Sequence, residues 1–361
     1  MISHQPIGSD FSLTEGDVFN QRDEQRNFVP RSFRTYWVSS GRDGLLALVK
    51  GFRYRRRNEF LLPSYICPEV IETLTPIVKV SFYQVKKDLT LDINAVEDCI
   101  SPSTRALLLV HYFGFPHPQL HELARLCRDL GIMLIEDCVQ AAFTKASGNP
   151  LGRVGNAAFC SLRKFLPIPD GGWLTTHTPI PVHLKDSVEH SNYVRLREIL
   201  IRMRGLFPRD AVNVPDIFFK QAFMYADQEG TRYPKPAPMA QLSFDLLRRF
   251  PLTKWVHIRR KNYDQLVKLL PKSANPLFPR LPIGVVPLGL PVLVRHRDTV
   301  QRRLAAKRIY APVHWRLSGV PRRFEDAWKL SKQLLTLPID QRYSKQEMRK
   351  IAEEVRLCTS P

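Results

Sequence analysis

One lysine, Lys164, stands in the run FCSLRKFLPIPDGGWL with Phe165 and Leu166 directly after it and Gly171–Gly172 seven positions on. An ammonium in apolar company is costly to bury unpaired. Two outcomes are open to it. The side chain can snorkel to water or pair with a carboxylate. Alternatively, desolvation lowers its pKa and leaves an amine able to condense with a carbonyl to an imine.

Imine chemistry with pyridoxal phosphate needs three things: the lysine, a carboxylate facing the pyridine nitrogen, and a cradle for the phosphate. Asp137, at the end of IMLIED, is the carboxylate candidate, and capping the following CVQAA turn is its alternative use. The turn SGRDG (Ser40–Gly44) is the phosphate candidate, because glycine allows close backbone approach and a helix N-terminus attracts anions. Ser161, three residues before Lys164, offers a hydroxyl for the phosphate or for the structure. Gly171 and Gly172 suit a tight return into the strand WLTTH.

These residues must be positioned by the elements around them. SGRDGLLALVKGF reads as a turn and a helix, EFLLPSYIC as a strand ending at Pro63, and PEVIETLTP as a short helix with Pro68 in its first turn. VKVSFYQV, TRALLLVHYFG and IMLIEDC read as strands. INAVEDCI and HPQLHELARLCRDLG read as the helices between them, the second ended by Gly131. Apolar strands alternating with helices predict an α/β fold with a mainly parallel sheet covered on both faces. Its polar residues gather at the carboxyl ends of strands, where such sheets bind ligands.

Residues 1–30 are polar and read as an N-terminal arm. Residues 31–250 read as the large domain, with a different, helical segment at about 183–235. LKDSVEHSNYVRLREILIRMRGLF looks helical there, and GTRYPKPAPMAQ reads as a proline-rich connector. Residues 251–361 read as a smaller α+β domain, with short prolyl strands at PLGLPVLV and IYAPVHW and a closing amphipathic helix, SKQEMRKIAEEVRLC.

The chain has 361 residues and a formal charge of +20, which favours anionic partners. No zinc-finger, RNP or helix-turn-helix signature accompanies that charge, so no specific nucleic-acid partner is expected. The densest basic run, Arg53 with Arg55, Arg56 and Arg57, suits a helix C-terminus. The six cysteines are scattered without a CxxC pair, which predicts reduced thiols and no metal site. No run approaches the ~18 apolar residues of a membrane span. The N-terminus lacks a basic region followed by an apolar run, so the cytoplasm is the expected location.

In this order SGRDGLLAL, LPSYICPEVIETL, TRALLLVHYFGFP, ARLCRDLGIMLIEDCVQAA, GNPLGRVGNAAFCSLRK and DGGWLTT resemble the DegT/DnrJ/EryC1/StrS family of pyridoxal-phosphate-dependent aminotransferases. AQLSFDLLRRF…RRKNYDQL and LSKQLLTLPIDQRYSKQEMRKIAEEV resemble its later helices and closing segment. The resemblance implies a three-layer fold-type-I transferase domain followed by a smaller domain. It makes Lys164 the imine lysine and Asp137 the partner of the pyridine nitrogen. Gln140 is placed near the ring oxygen, Gly41 and Arg42 at the phosphate, and His111, the strand-end histidine, near the cofactor. Tyr65 stands in for the stacking aromatic, with Cys67 close to that position.

The implied reaction moves an amino group from an amino acid, expected to be glutamate, to a keto sugar carried on a nucleotide, in a homodimer. Polysaccharide biosynthesis is a pathway that uses such sugars. Two departures stand out. The usual Ser-Gly-Thr is Ser-Gly-Arg here, and TRYPKPAP replaces the interface Asn-Tyr-Arg, which Asn192, Tyr193 and Arg195 only echo earlier in the chain. These departures support an alternative: a non-catalytic or regulatory relative that binds sugar nucleotides.

Overall fold

A computed structural model describes residues 7–8, 10–13, 28–30, 34–52, 57–206, 216–231 and 235–359. Most of the expected arm, Arg53, Arg55 and Arg56, and part of TRYPKPAP lie outside the described residues. Strand β1 (Arg34–Val38) leads into helix α1 (Gly41–Lys50). The alternation continues through β2 (Glu59–Pro63), α2 (Pro68–Leu74), β3 (Lys79–Tyr83), α3 (Ile93–Glu97), β4 (Thr104–Val110), α4 (Leu120–Asp129) and β5 (Met133–Asp137). A small hairpin, β6 (Lys145–Ala146) and β7 (Asn149–Pro150), precedes β8 (Ala157–Ser161) and β9 (Gly172–Thr176).

Seven of these strands form one sheet in the order β1-β9-β8-β5-β4-β2-β3. The five strands from β3 to β8 run parallel, and β9 runs antiparallel to both its neighbours. Strands β2, β8 and β9 are buried at every position, which is why their sequences show no polar alternation. Helix α1 starts at Ser40, whose extended backbone (φ −153°) lets its hydroxyl accept the Asp43 N–H at 3.1 Å. Helix α4 buries Leu120, Leu123 and Cys127 on one face and stops before Gly131, at φ +62°. Arg57 Nη1 donates to the Gly131 carbonyl at 2.7 Å, so this member of the basic run serves the end of α4.

Helices α5 (Val188–Leu206) and α6 (Asp216–Thr231) pack on each other through Leu200, Ile201, Phe219 and Phe223. Beyond α7 (Gln241–Leu247) and α8 (Leu252–Leu269) comes an antiparallel sheet of β10 (Asn275–Pro276), β11 (Leu290–Leu293) and β12 (Leu334–Leu337). Helices α9 (Arg297–Ala306), α10 (Glu325–Gln333) and α11 (Lys345–Thr359) accompany it. The expected strand at IYAPVHW does not form. Only Ile309 makes a bridge, to Ile7, and Pro312, which has no N–H to give a ladder, instead accepts the Thr336 N–H at 3.0 Å. Ile7 is buried by that bridge, so the described start of the chain is anchored on the C-terminal part.

Gly172 pairs with Ser161 where β9 returns from the Lys164 turn, and a Cβ there would sit 2.2 Å from the Cys160 carbonyl oxygen. Gly172→Ala is expected to cost about 3 kcal/mol. Gly44→Ala is expected to stay within about 1 kcal/mol of the parent, because a Cβ there comes no closer than 3.3 Å, to the Phe159 Cβ, with Val38 and Leu174 at ordinary contact distance, and the helix gains propensity. Urea denaturation of both variants checks the contrast, and equal midpoints would refute it.

Candidate active site

A cleft of about 320 Å3 opens at the carboxyl ends of the parallel strands. It gathers Gly41, Arg42, Asp137, Gln140, Ser161 and Lys164, six of the eight residues picked out in the sequence. Ser161 ends β8, and the single turn Leu162–Lys164 then carries the lysine to the cleft. The turn is closed by the Leu162 N–H on the Gly171 carbonyl at 2.9 Å, with Gly171 at φ +131°. Lys164 is half-buried and has no hydrogen-bond or ion-pair partner among the described residues.

Asp137 ends β5 and is 7% exposed; its Oδ1 accepts the Val139 N–H at 2.9 Å. Burial pushes its pKa up to about 6, and the Val139 hydrogen bond and the Lys164 charge only partly oppose this. Gln140 is fully buried, with Oε1 accepting the Phe113 N–H at 2.8 Å. Its Nε2 donor has no partner among the described residues. That fixed, unspent donor, the unpaired ammonium and the buried carboxylate lie on one cleft. Together they fit a ring carrying an aldehyde, an oxygen acceptor and a basic nitrogen.

Gly41 is where the cleft needs close backbone approach, since a Cβ there would lie 2.7 Å from Val139 Cγ2. Ser40 and Asp43 are tied together, the hydroxyl donating to Asp43 Oδ2 at 2.7 Å, and burial raises the Asp43 pKa. The Arg42 guanidinium meets Glu69 at the rim, 2.8 Å away.

Two residues singled out in the sequence stand outside the cleft lining. Tyr65 is wholly buried, donating its hydroxyl to the His314 carbonyl and accepting the Trp315 N–H at 3.0 Å. Its ring backs Trp315, centroids 5.6 Å apart, and Trp315, unlike Tyr65, lines the cleft. His111 lies behind Asp137. Its Nδ1 accepts the His117 N–H at 3.0 Å, which leaves Nε2–H to donate to Glu136 at 2.9 Å. Glu136 also accepts N–H groups from Gly152, Val154 and Gly155. Burial alone would raise its pKa, but His111 and these backbone donors outweigh that and hold it low. Cys138 lies close to both, yet Glu136 has its acceptors filled, so this group reads as structural.

The sequence reading missed the far wall. Helices α5 and α6 supply His190, Tyr193, Met224, Asp227 and Gln228 to the cleft. Asp227 Oδ1 takes both Arg163 Nη1 at 3.0 Å and Arg197 Nη1 at 2.7 Å, clamping the helices to the residue next to Lys164. The signal was present: His190, Tyr193, Arg197 and Arg204 are spaced to share one helix face, and all four are buried. Tyr193, part of the displaced Asn-Tyr-Arg echo, is a wall residue, whereas Asn192 and Arg195 are not. Trp315 could not have been found by local pattern.

Residues 35–184 match the model of the DegT/DnrJ/EryC1/StrS aminotransferase family. The dTDP-4-dehydro-2,3,6-trideoxy-D-glucose 4-aminotransferase of Saccharopolyspora spinosa is 26% identical over 74% of this chain and 69% of its own length. The L-glutamine:2-deoxy-scyllo-inosose aminotransferase of Streptomyces kanamyceticus is 30% identical over 40% of this chain and 34% of its own length. The chain thus spans about a third of some of the curated relatives it matches. Helicobacter pylori PseC, an aminotransferase, shares the fold, with a TM-score of 0.67 and 15% identity over 98% of this chain and 99% of the other.

His190 faces the carboxylates of Asp170 at 3.2 Å and Asp186 at 3.3 Å, with Asp43 nearby. Burial alone would lower its pKa, but those two carboxylates outweigh burial and raise it above 6.5. A raised folded-state pKa gives stability that is full below pH 6.5 and is lost as pH rises through the folded value. Melting temperatures between about pH 6 and pH 9 should therefore fall more steeply for the parent than for His190→Gln. Parallel curves would remove His190 from the roof's support.

Proposed function

We propose that the protein is a pyridoxal-phosphate-dependent aminotransferase that passes an amino group from an amino acid, glutamate or glutamine, to a keto sugar carried on a nucleotide. The observation that carries this reading is the convergence of the unpaired Lys164 ammonium, the buried Asp137 carboxylate and the unspent Gln140 Nε2 on one cleft. The relatives are aminotransferases of keto sugars or inososes, which supports the acceptor class. A cytoplasmic homodimer belongs to the same reading.

When bound, the cofactor supplies an aldehyde for covalent attachment and a ring that withdraws electron density from the reacting carbon. Lys164 Nζ would hold the attachment and, once released, would serve as the acid–base group that moves the proton at the donor's α-carbon. Asp137 would face the ring nitrogen and hold its proton there. Gln140 Nε2 orients the ring through its oxygen. Gly41 and the first N–H groups of α1 bind the phosphate, and Ser161 stands beside them. Trp315 shields one side of the cleft from water. His314, close to Lys164 and half-buried, has its pKa pushed down to about 3 by desolvation and by that ammonium, so it stays neutral.

Lys164→Ala should remove the visible absorption that appears on adding cofactor and lower amino transfer by about ten-thousandfold. Transfer of labelled nitrogen from glutamate or glutamine to a panel of keto-sugar nucleotides reads the activity. A parent protein that develops no such band sinks the proposal. A protein that gains the band but moves no nitrogen to any member of the panel is the non-catalytic relative.

Asp137→Asn separates stability from chemistry. Asp137's contribution to apoprotein stability is present below pH 3.8 and lost as pH rises through about 6, so neutral pH carries the cost of its charge. The variant apoprotein should melt higher than the parent at neutral pH, while amino transfer falls by about a hundredfold or more. A lower melting temperature would contradict this.

A further inference from the structure

The start of α1 carries a carboxylate of its own where the cleft meets the helix. Asp43, in the first turn, lines the cleft beside Gly41 and Arg42 and is half-buried there. It also takes up much of the hydrogen bonding that the turn could offer an anion. The Asp43 N–H goes to the Ser40 hydroxyl at 3.1 Å, and the Gly44 N–H goes to the Ser40 carbonyl at 3.0 Å. The Ser40 hydroxyl in turn donates to Asp43 Oδ2 at 2.7 Å. Only the N–H groups of Gly41 and Arg42 are left in this turn without an acceptor among the described residues.

The cations that face Asp43 are committed elsewhere. Arg42 reaches outward to Glu69 of α2 at 2.8 Å. His190 of α5 turns one ring nitrogen to Asp170 at 3.2 Å and the other to Asp186 at 3.3 Å. Lys235, in the segment before α7, lines the cleft but is exposed, so water screens its charge. Across the cleft Arg163 is paired with Asp227 at 3.0 Å. Burial accordingly raises the Asp43 pKa, and the Ser40 hydroxyl, the Ala237 backbone, His190 and Arg42 only partly oppose it.

A helix start attracts an anion through its free N–H groups and its dipole, and a carboxylate beside them competes for the same field. Resting on the aminotransferase reading, we propose that Asp43 opposes the cofactor phosphate, so that this chain grips its cofactor by the ring and Lys164 and only weakly by the phosphate. The consequence falls on the amine form of the cofactor, which has no bond to Lys164 and therefore exchanges with cofactor in solution. Asp43 sets cofactor affinity in this way without touching the reacting atoms.

Calorimetric titration of the full-length, cofactor-free protein with pyridoxamine phosphate, pyridoxamine and inorganic phosphate in mildly alkaline buffer tests this. Asp43→Asn removes the charge and keeps an acceptor for the Ser40 hydroxyl. It should bind pyridoxamine phosphate at least about tenfold tighter than the parent, and pyridoxamine within about threefold of it. Asp43→Ser, also uncharged, should move the same way. Unaltered affinity for pyridoxamine phosphate in both variants overturns the proposal, as does failure of parent and variants alike to bind it. An equal gain for pyridoxamine overturns it too, because the effect would then lie in the fold and not at the phosphate. A parent that develops no visible band with pyridoxal phosphate refutes the aminotransferase reading instead. The inorganic phosphate titration then still decides the role of Asp43, which requires tighter binding by the uncharged variants.

Discussion

Two carboxylates stand side by side at the end of β5, and their environments push them in opposite directions. Side chains alternate along a strand, so Glu136 and Asp137 face opposite sides of the sheet. Glu136 meets His111 and three backbone N–H groups and is held ionised; Asp137 meets one N–H and is pushed towards the neutral form. Nearby Lys164 softens the cost without making contact, since no ion pair joins them. A direct pair would relieve both charges. Holding them apart is the constraint to which the rest of the cleft is fitted, and it leaves both groups unspent for a third component.

The satisfied carboxylate does the positioning. Glu136 ties the Gly152–Gly155 loop to β5, and through His111 it fixes the segment that follows β4. That segment places Phe113 at φ +55°, where its N–H reaches Gln140 and orients the amide. Gln140 thus presents its other end to the cleft because a loop from the neighbouring strand has taken its oxygen. His111, expected near the cofactor, serves the site from behind.

The parallel sheet was legible because strands buried on both faces read as unbroken apolar runs, and the cleft because its polar residues sit at strand ends. Lys164 and Asp137 were legible for a related reason, Lys164 standing just before an apolar stretch and Asp137 at the end of an apolar strand, whereas Gln140 was picked out only by the family resemblance. Tyr65 misled because nothing local says whether a buried tyrosine faces a cleft or its backing layer; here its hydroxyl is spent on the backbone at His314 and Trp315. Trp315 comes from a segment some 250 positions away and fills the place that Tyr65 only supports. IYAPVHW, apolar enough for a strand, is instead an irregular segment that delivers this ring. The roof was missed although α5 puts histidine, tyrosine and two arginines on its buried face. Cations on a buried face point to fixed acceptors, and Asp227 and Asp170 are those acceptors.

The charge of the chain gains meaning from where it falls. Residues 251–361 hold 23 Lys and Arg against 8 Asp and Glu, which is +15 of the total +20. Around the lysine cleft the formal charges instead balance, Arg42, Arg163, Lys164 and Lys235 lining it against Asp43, Glu69, Asp137 and Asp227. A site that works by a balance between one carboxylate and one amine is disturbed by any uncompensated charge within a few ångströms. Charge placed farther away acts on approaching anions over about one Debye length, ~8 Å at physiological ionic strength, and is screened from the reacting groups. Local neutrality and a distant positive field are therefore compatible in one chain.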